Sequence, residues 1–210
     1  MKLYDMQMAP NPRRVRIFLA EKGIDVELVD VDLMDGENLN GDFQKINPRG
    51  VIPTLELDDG TCLDETVAIC RYIEELHPEP NLLGSGALGL ATVESCQRHV
   101  EFDGFMPLLD AFRNTFPAFA ERGVPGLPAE YNAIPELAER GQRRYELFMQ
   151  NLNLRLADHK YIAGDNYSIA DITALCAVDF AKALKIELPE DYKHARRWYD
   201  EVSSRESAAV

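Results

Sequence analysis

The sequence predicts a small mixed α/β domain followed by an all-helical one. Three observations carry that expectation. Near the start, short apolar runs alternate between strand and helix lengths. Residues 54–63 then read as two extended segments around Asp58, Asp59 and Gly60, a hairpin turn. After a dense run of helix breakers, Pro78, Pro80, Asn81, Gly84 and Gly86, every longer apolar pattern has helical spacing.

Taken in order, residues 2–4 form a short first strand. Residues 12–22 carry Val15, Ile17, Phe18 and Leu19 in a helical pattern that Gly23 can end. Residues 26–33 read as a second strand, residues 35–41 as a loop, and residues 42–46 as a helical turn. The hairpin follows, and then a helix over residues 65–76. A strand, helix and strand close by a right-handed crossover, so the first two strands are expected parallel and the hairpin antiparallel. The expected division is a first domain over residues 1–77, a linker over 78–86 and a helical domain over 87–210. In the helical part, residues 87–119 and 130–158 are long helical patterns, separated by a loop with Gly123, Pro125, Gly126 and Pro128. Pro107, Pro117 and Pro135 mark kinks or breaks. Ser168 and Asp171 have the spacing of a capping box, with Asp in place of Glu, and their expected role is in folding.

Composition narrows the functional classes. The chain has 210 residues, 46% of them hydrophobic and 28% charged, which suits a folded protein with a real core. No apolar run approaches the roughly eighteen residues that span a membrane. The start MKLYDMQ lacks the basic-then-apolar pattern of a signal peptide, so the expected location is the cytoplasm. A net charge of −14 opposes nonspecific binding to nucleic acid or to an anionic membrane. Cys62, Cys70, Cys96 and Cys176 lack metal or CxxC spacing, and all four are expected to be buried thiols; no metal is expected.

Residues 47–72, NPRGVIPTLELDDGTCLDETVAICRY, carry the functional signal. Pro53 stands directly before the first hairpin strand, and X-Pro is the peptide bond at which a cis isomer is cheap; Ile52-Pro53 is the expected cis bond. Such a turn presents the Ile52 N–H and C=O at a sheet edge, where an extended peptide can pair with them. Glu65 and Thr66 open the next helix, where amides attract an anion and the carboxylate can hold an ammonium. Each feature alone is also an ordinary structural one: acids and threonines cap helices, and prolines precede strands.

In combination and order, NPxGxxP, a hairpin, Glu-Thr and a helix reading AICRYIEE resemble the glutathione-binding half of the cytosolic glutathione S-transferases. The resemblance extends from MKLYD through RRVRIFLAEKG to YIAGDNYSIADITA and the last helix with Trp198 and Tyr199, nearly the whole chain. It implies a thioredoxin-like N-terminal domain, an all-α C-terminal domain and a homodimer. It also implies glutathione as co-substrate, a small hydrophobic electrophile as the second substrate and a role in detoxification. It assigns Ile52 to main-chain pairing with the ligand, Pro53 to the cis turn, and Glu65 with Thr66 to the γ-glutamyl end. Arg49 or Lys45 is a candidate for the glycyl carboxylate, or else a solvated surface charge. Asp103 falls on the helical spacing Val93, Cys96, Val100, Asp103; a residue of this helix can reach the neighbour's γ-glutamyl ammonium in a dimer, or can simply face solvent.

The catalytic group is where the chain departs from the resemblance. A free thiol supplies little thiolate at neutral pH, so a donor must stabilise the sulfur anion. In family members that use serine or cysteine, that residue stands in the first strand-helix turn, and Ala9 occupies the place here. Asn11, two residues later, is the nearest side chain with an N–H donor and is the expected catalytic residue; its structural alternative is to cap the helix ahead of Pro12. Tyr4 is expected in the core, and Met6 and Met8 as apolar surface near the electrophile. Two other functions compete with thiol transfer: a glutathione-dependent peroxidase or disulfide reductase, and a non-catalytic glutathione-binding or protein-interaction module, which Ala9 favours.

Overall fold

The computed structural model describes residues 1–127 and 130–210; Pro128 of the expected loop lies outside the described residues. The chain opens with β1 (Lys2–Asp5), α1 (Pro10–Glu21) and β2 (Glu27–Asp30). A 3-10 turn (Glu37–Leu39), α2 (Phe43–Ile46), β3 (Thr54–Glu56), β4 (Cys62–Asp64) and α3 (Thr66–Leu76) follow. The sheet order is β2-β1-β3-β4, with β1 and β2 parallel and the other neighbours antiparallel, as the crossover and hairpin require. β2 is shorter than the expected 26–33, although Val31 still donates to Asp5 at 2.8 Å beyond the strand.

Residues between Leu76 and Gly86 carry no helix or strand. The remainder is helical: α4 (Gly86–His99), a π-helical stretch (Val100–Phe105), α5 (Met106–Arg113), α6 (Pro135–Asp158), α7 (Ile169–Ala181) and α8 (Lys193–Ser203). Short 3-10 turns lie at Pro117–Phe119, Lys182–Leu184 and Glu206–Ala209. The prolines act as element starters: Pro117 opens its 3-10 turn, Pro135 opens α6 and Pro107 stands in the first turn of α5. The expected helix over 130–158 therefore begins five residues late, because Pro135 sets its start. The expected helix over 87–119 is divided by the π stretch, whose looser i→i+5 turn rotates the following residues about the axis.

One apolar core runs from the sheet into the helices. It joins Leu3 and Leu55 of the sheet and Phe18 of α1 to Ile69 of α3, Ile172 of α7 and Trp198 of α8. α1 packs between α3 and α7, so the helix that follows the first turn is held by both halves of the molecule. A satellite cluster of Tyr4, Val31, Phe43 and Ile52 lies on the other sheet face, with Met6 against it. Asp171 at the start of α7 is fully buried. Its carboxylate accepts from the amides of Ser168 and Ile162 and from the Trp198 indole, each at 2.9 Å, which closes the capping box and ties α7 to α8.

Candidate active site

The loop before β3 is shaped by side-chain amides. Asn47 Nδ2 donates to the carbonyl of Val51 at 2.9 Å and to the Thr54 hydroxyl at 3.0 Å, while its Oδ1 accepts from the Arg49 amide at 3.0 Å. Asn38 Nδ2 donates to the carbonyl of Gly50 at 2.6 Å. Both asparagines are buried. Between these braces the Ile52-Pro53 bond is cis, and so is Glu79-Pro80. Among the described residues the N–H and C=O of Ile52 take no hydrogen bond within the chain, so both remain available at the edge where β3 begins.

Glu65 directly follows β4 and stands at the N-cap position of α3. Its φ of 68° with ψ of 121° is costly for a residue with a side chain, and such conformations gather at binding sites. Its side chain is 62% exposed, whereas Thr66 is buried in the first turn. Arg49 Nη1 donates to Glu65 Oε1 at 2.6 Å and to Asp64 Oδ2 at 3.0 Å, and these bonds raise its pKa. The guanidinium therefore holds Glu65 in place instead of standing free. Lys45 pairs with Asp42 at 2.7 Å on an exposed turn.

At the first turn Ala9, not Asn11, is the N-cap, and it has no side-chain bond to offer. Pro10 and Pro12 have no N–H, and the Arg13 amide donates to the Ala9 carbonyl at 3.3 Å. Of the first-turn amides, Asn11 N–H is the one left without a partner among the described residues. Its side chain is oriented as well. Arg14 Nη1 donates to Asn11 Oδ1 at 3.0 Å, and since a guanidinium only donates, the amide must turn Nδ2 away from it. Arg14 is itself fixed: it is buried, its Nε donates to Thr173 at 3.1 Å, it pairs with Glu101, and it lies over the Phe105 ring. Asn11 thus offers a main-chain and a side-chain N–H at the positive end of α1.

Tyr4 is 8% exposed and donates to Glu56 at 2.6 Å; burial, then Glu56, push its pKa up to about 12, the wrong direction for a thiolate partner. Met6 joins the satellite cluster and Met8 faces solvent at 85% exposure. Three cysteines are buried as expected, but Cys62 is exposed because β4 is an edge strand and presents it outward. Asp103 leaves the apolar stripe: the π turn puts Gly104 and Phe105 in the interior, and Asp103 pairs with Arg144 at 3.4 Å on the surface. It lines a cavity of about 390 Å³ with Cys96, His99, Arg144, Asn151 and Arg155, all from the helical part. Sequence reasoning missed Arg14, Asn38 and Asn47, and it missed the role of residues 117–127. That segment crosses to the first half of the chain: Arg122 donates to the carbonyls of Leu33 and Met34, and Gly126 lies against the Arg49 backbone. The one available signal was the pair of glycines flanking the contact, Gly50 and Gly126, both at positive φ.

The structure thus combines a small thioredoxin-like sheet, a cis proline ahead of β3 and a strained Glu65 at the start of α3 with a helical second half, and comparison with known proteins defines the class. Residues 3–81 match the family Glutathione S-transferase, N-terminal domain, and residues 104–206 match Glutathione S-transferase, C-terminal domain. The chain belongs to the glutathione S-transferase family. It is 32% identical to Glutathione S-transferase 2 of Saccharomyces cerevisiae over 99% of this chain and 87% of that protein. It is likewise 32% identical to Glutathione S-transferase GstA of Escherichia coli O157:H7, over 90% and 86%. The crystal structure of Gtt2 from Saccharomyces cerevisiae superposes with a TM-score of 0.92, covering 100% of this chain and 99% of that one at 32% identity.

Proposed function

We propose that this chain transfers the glutathione thiolate to a small hydrophobic electrophile, with Asn11 holding the sulfur anion. The peptide lies along the cis-proline edge: Ile52 pairs with its cysteinyl main chain, and Glu65 with Thr66 receives the γ-glutamyl end. The observation that carries this reading is the pair of Asn11 N–H groups, main-chain and side-chain, that have no partner among the described residues, one of them aimed by Arg14. Asparagine cannot take a proton, so the thiol proton leaves to solvent and the two donors stabilise the anion that remains. In substitution the sulfur bonds to the electrophilic carbon and the leaving group departs with its electron pair; in addition the resulting carbanion takes a proton from water. No cysteine stands at the turn, and burial raises the Cys70 and Cys176 thiols to about 12 and about 11, which disfavours a protein mixed disulfide.

The division into residues 1–77, 78–86 and 87–210 belongs to the same reading, as do the cytoplasmic location and the homodimer. Exposed Phe102, Met106, Leu147 and Leu154 on the π stretch, α5 and α6 support a partner surface there. Asn11→Ala tests the function. Calorimetry should show glutathione affinity within about threefold of wild type, while turnover of an electrophile falls by about 100-fold. Unchanged turnover would remove Asn11 from the mechanism, and binding without turnover in wild type would leave a glutathione-binding module.

A further inference from the structure

Four phenylalanines form a cluster at the edge of the main core, with Phe180 packed against that core and Phe112 stacked on Phe116. Phe112 meets Phe116 and Phe180 at 4.8 Å between centroids and Phe119 at 5.7 Å, and Phe116 remains 39% exposed. Neither Phe112 nor Phe116 belongs to a core cluster. Two arginines approach one ring of this stack: the guanidinium carbons of Arg113 and Arg122 lie 4.5 and 5.5 Å from the Phe119 centroid. Among the described residues neither has a carboxylate partner. Arg122 spends its donors on the carbonyls of Leu33, Met34 and Ala118. Arg113 spends one, from Nη1 to the Arg122 carbonyl at 2.9 Å. Burial, then repulsion from Arg122, lower the Arg113 pKa to about 10. In a chain of net charge −14 whose other arginines mostly pair with acids, a half-buried guanidinium beside a second one is a standing preference for an anion.

Two sets of contacts link the elements that carry these rings to those of the proposed site. Phe180 follows Asp179, which accepts from Arg13 at 2.7 Å, and Arg13 stands two residues after Asn11. Beyond Phe119, Arg122 reaches the carbonyls of Leu33 and Met34, and Gly126 lies against the backbone of Arg49 next to the cis-proline loop. An aromatic electrophile placed against Phe116 and Phe112 would bring a ring substituent toward the free N–H groups of Arg113.

We propose that Arg113 is an anion subsite that selects aromatic co-substrates bearing a carboxylate, the ring lying on the phenylalanine stack and the carboxylate on the guanidinium. This rests on the reading that glutathione lies along Ile52 and Glu65. The bond to the Arg122 carbonyl needs a single N–H and no charge, so glutamine can replace it while abolishing anion binding. Calorimetry with three ligands tests the proposal: S-methylglutathione, S-benzylglutathione and S-(4-carboxybenzyl)glutathione. Wild type should bind the carboxybenzyl ligand about tenfold more tightly than the benzyl one. Arg113→Gln should erase that preference without changing S-methylglutathione affinity, and Arg113→Lys should retain part of it. Equal affinity of the two aryl ligands for wild type, or an equal loss for all three in Arg113→Gln, would overturn the anion subsite. Failure of S-methylglutathione to bind wild type would instead overturn the glutathione reading, and the subsite with it.

Discussion

Asn11 can serve a thiolate only while its amide is held one way round, and Arg14 is the residue that holds it. Replacing Arg14 by methionine keeps the apolar stem and frees the amide to rotate, so its carbonyl oxygen spends part of the time facing the sulfur. Turnover should fall about tenfold, with the apparent pKa in the kcat–pH profile rising and glutathione KM changing little; an unshifted profile would make Arg14 a packing residue only. The cis bond at Ile52-Pro53 and the helix start at Glu65 and Thr66 were legible in the sequence because they depend on main-chain geometry and near neighbours. Arg14 was not legible because its anchors, Glu101 and Thr173, lie 87 and 159 residues along the chain. Asn11 was legible as a donor but was placed in the wrong helical position, since Pro10 rather than Pro12 opens α1.

At the scale of elements, residues 117–127 meet the first half of the chain through backbone contact. A Cβ on Gly126 would lie 2.1 Å from the Arg49 carbonyl oxygen, and its φ of +74° disfavours a side chain. Gly126→Ala should displace the segment from the cis-proline loop, raising glutathione KM severalfold and lowering stability by about 1–3 kcal/mol; kinetics and thermal melting check both. Asp171→Ala would orphan the Trp198 indole and the Ile162 amide, with an expected loss of about 3 kcal/mol in urea unfolding. The capping box was readable because it is a four-residue motif. The π stretch was not, since periodicity alone reads Val93, Cys96, Val100 and Asp103 as one face and has no marker for the extra residue that turns Asp103 outward.

For the whole molecule, α1 is clamped to the C-terminal segment. Arg205 donates to both Glu21 oxygens at 2.6 and 2.7 Å, and Ser207 bonds the same carboxylate; Arg13 reaches Asp179 and the Ala208 carbonyl. Burial works against ionising Glu21, but Arg205 and Ser207 outweigh it and hold its pKa below the ordinary 4.5; Asp179 is likewise lowered by Lys182, Tyr199 and Arg13 against its burial. A carboxylate depressed in the folded state binds its proton more readily when unfolded. Its stabilisation is therefore complete above about 4.5 and is lost as pH falls through the lower folded value. Glu21→Gln should flatten the acid limb of the melting temperature against pH below about 4.5, while an unchanged slope would remove the clamp from the account. The two-part architecture was readable from the breakers near residue 80, but the single core spanning both parts was not, because contacts such as Leu3 to the helices lie beyond any local pattern.

The central claim is that this chain lowers the pKa of bound glutathione through Asn11. Ultraviolet difference titration of the thiolate on wild type and Asn11→Ala, both saturated with glutathione, measures it directly. The account predicts a bound thiol ionising well below its free value of about 8.5 in wild type and shifted back toward that value in the variant. The same titration curve for both proteins would contradict it.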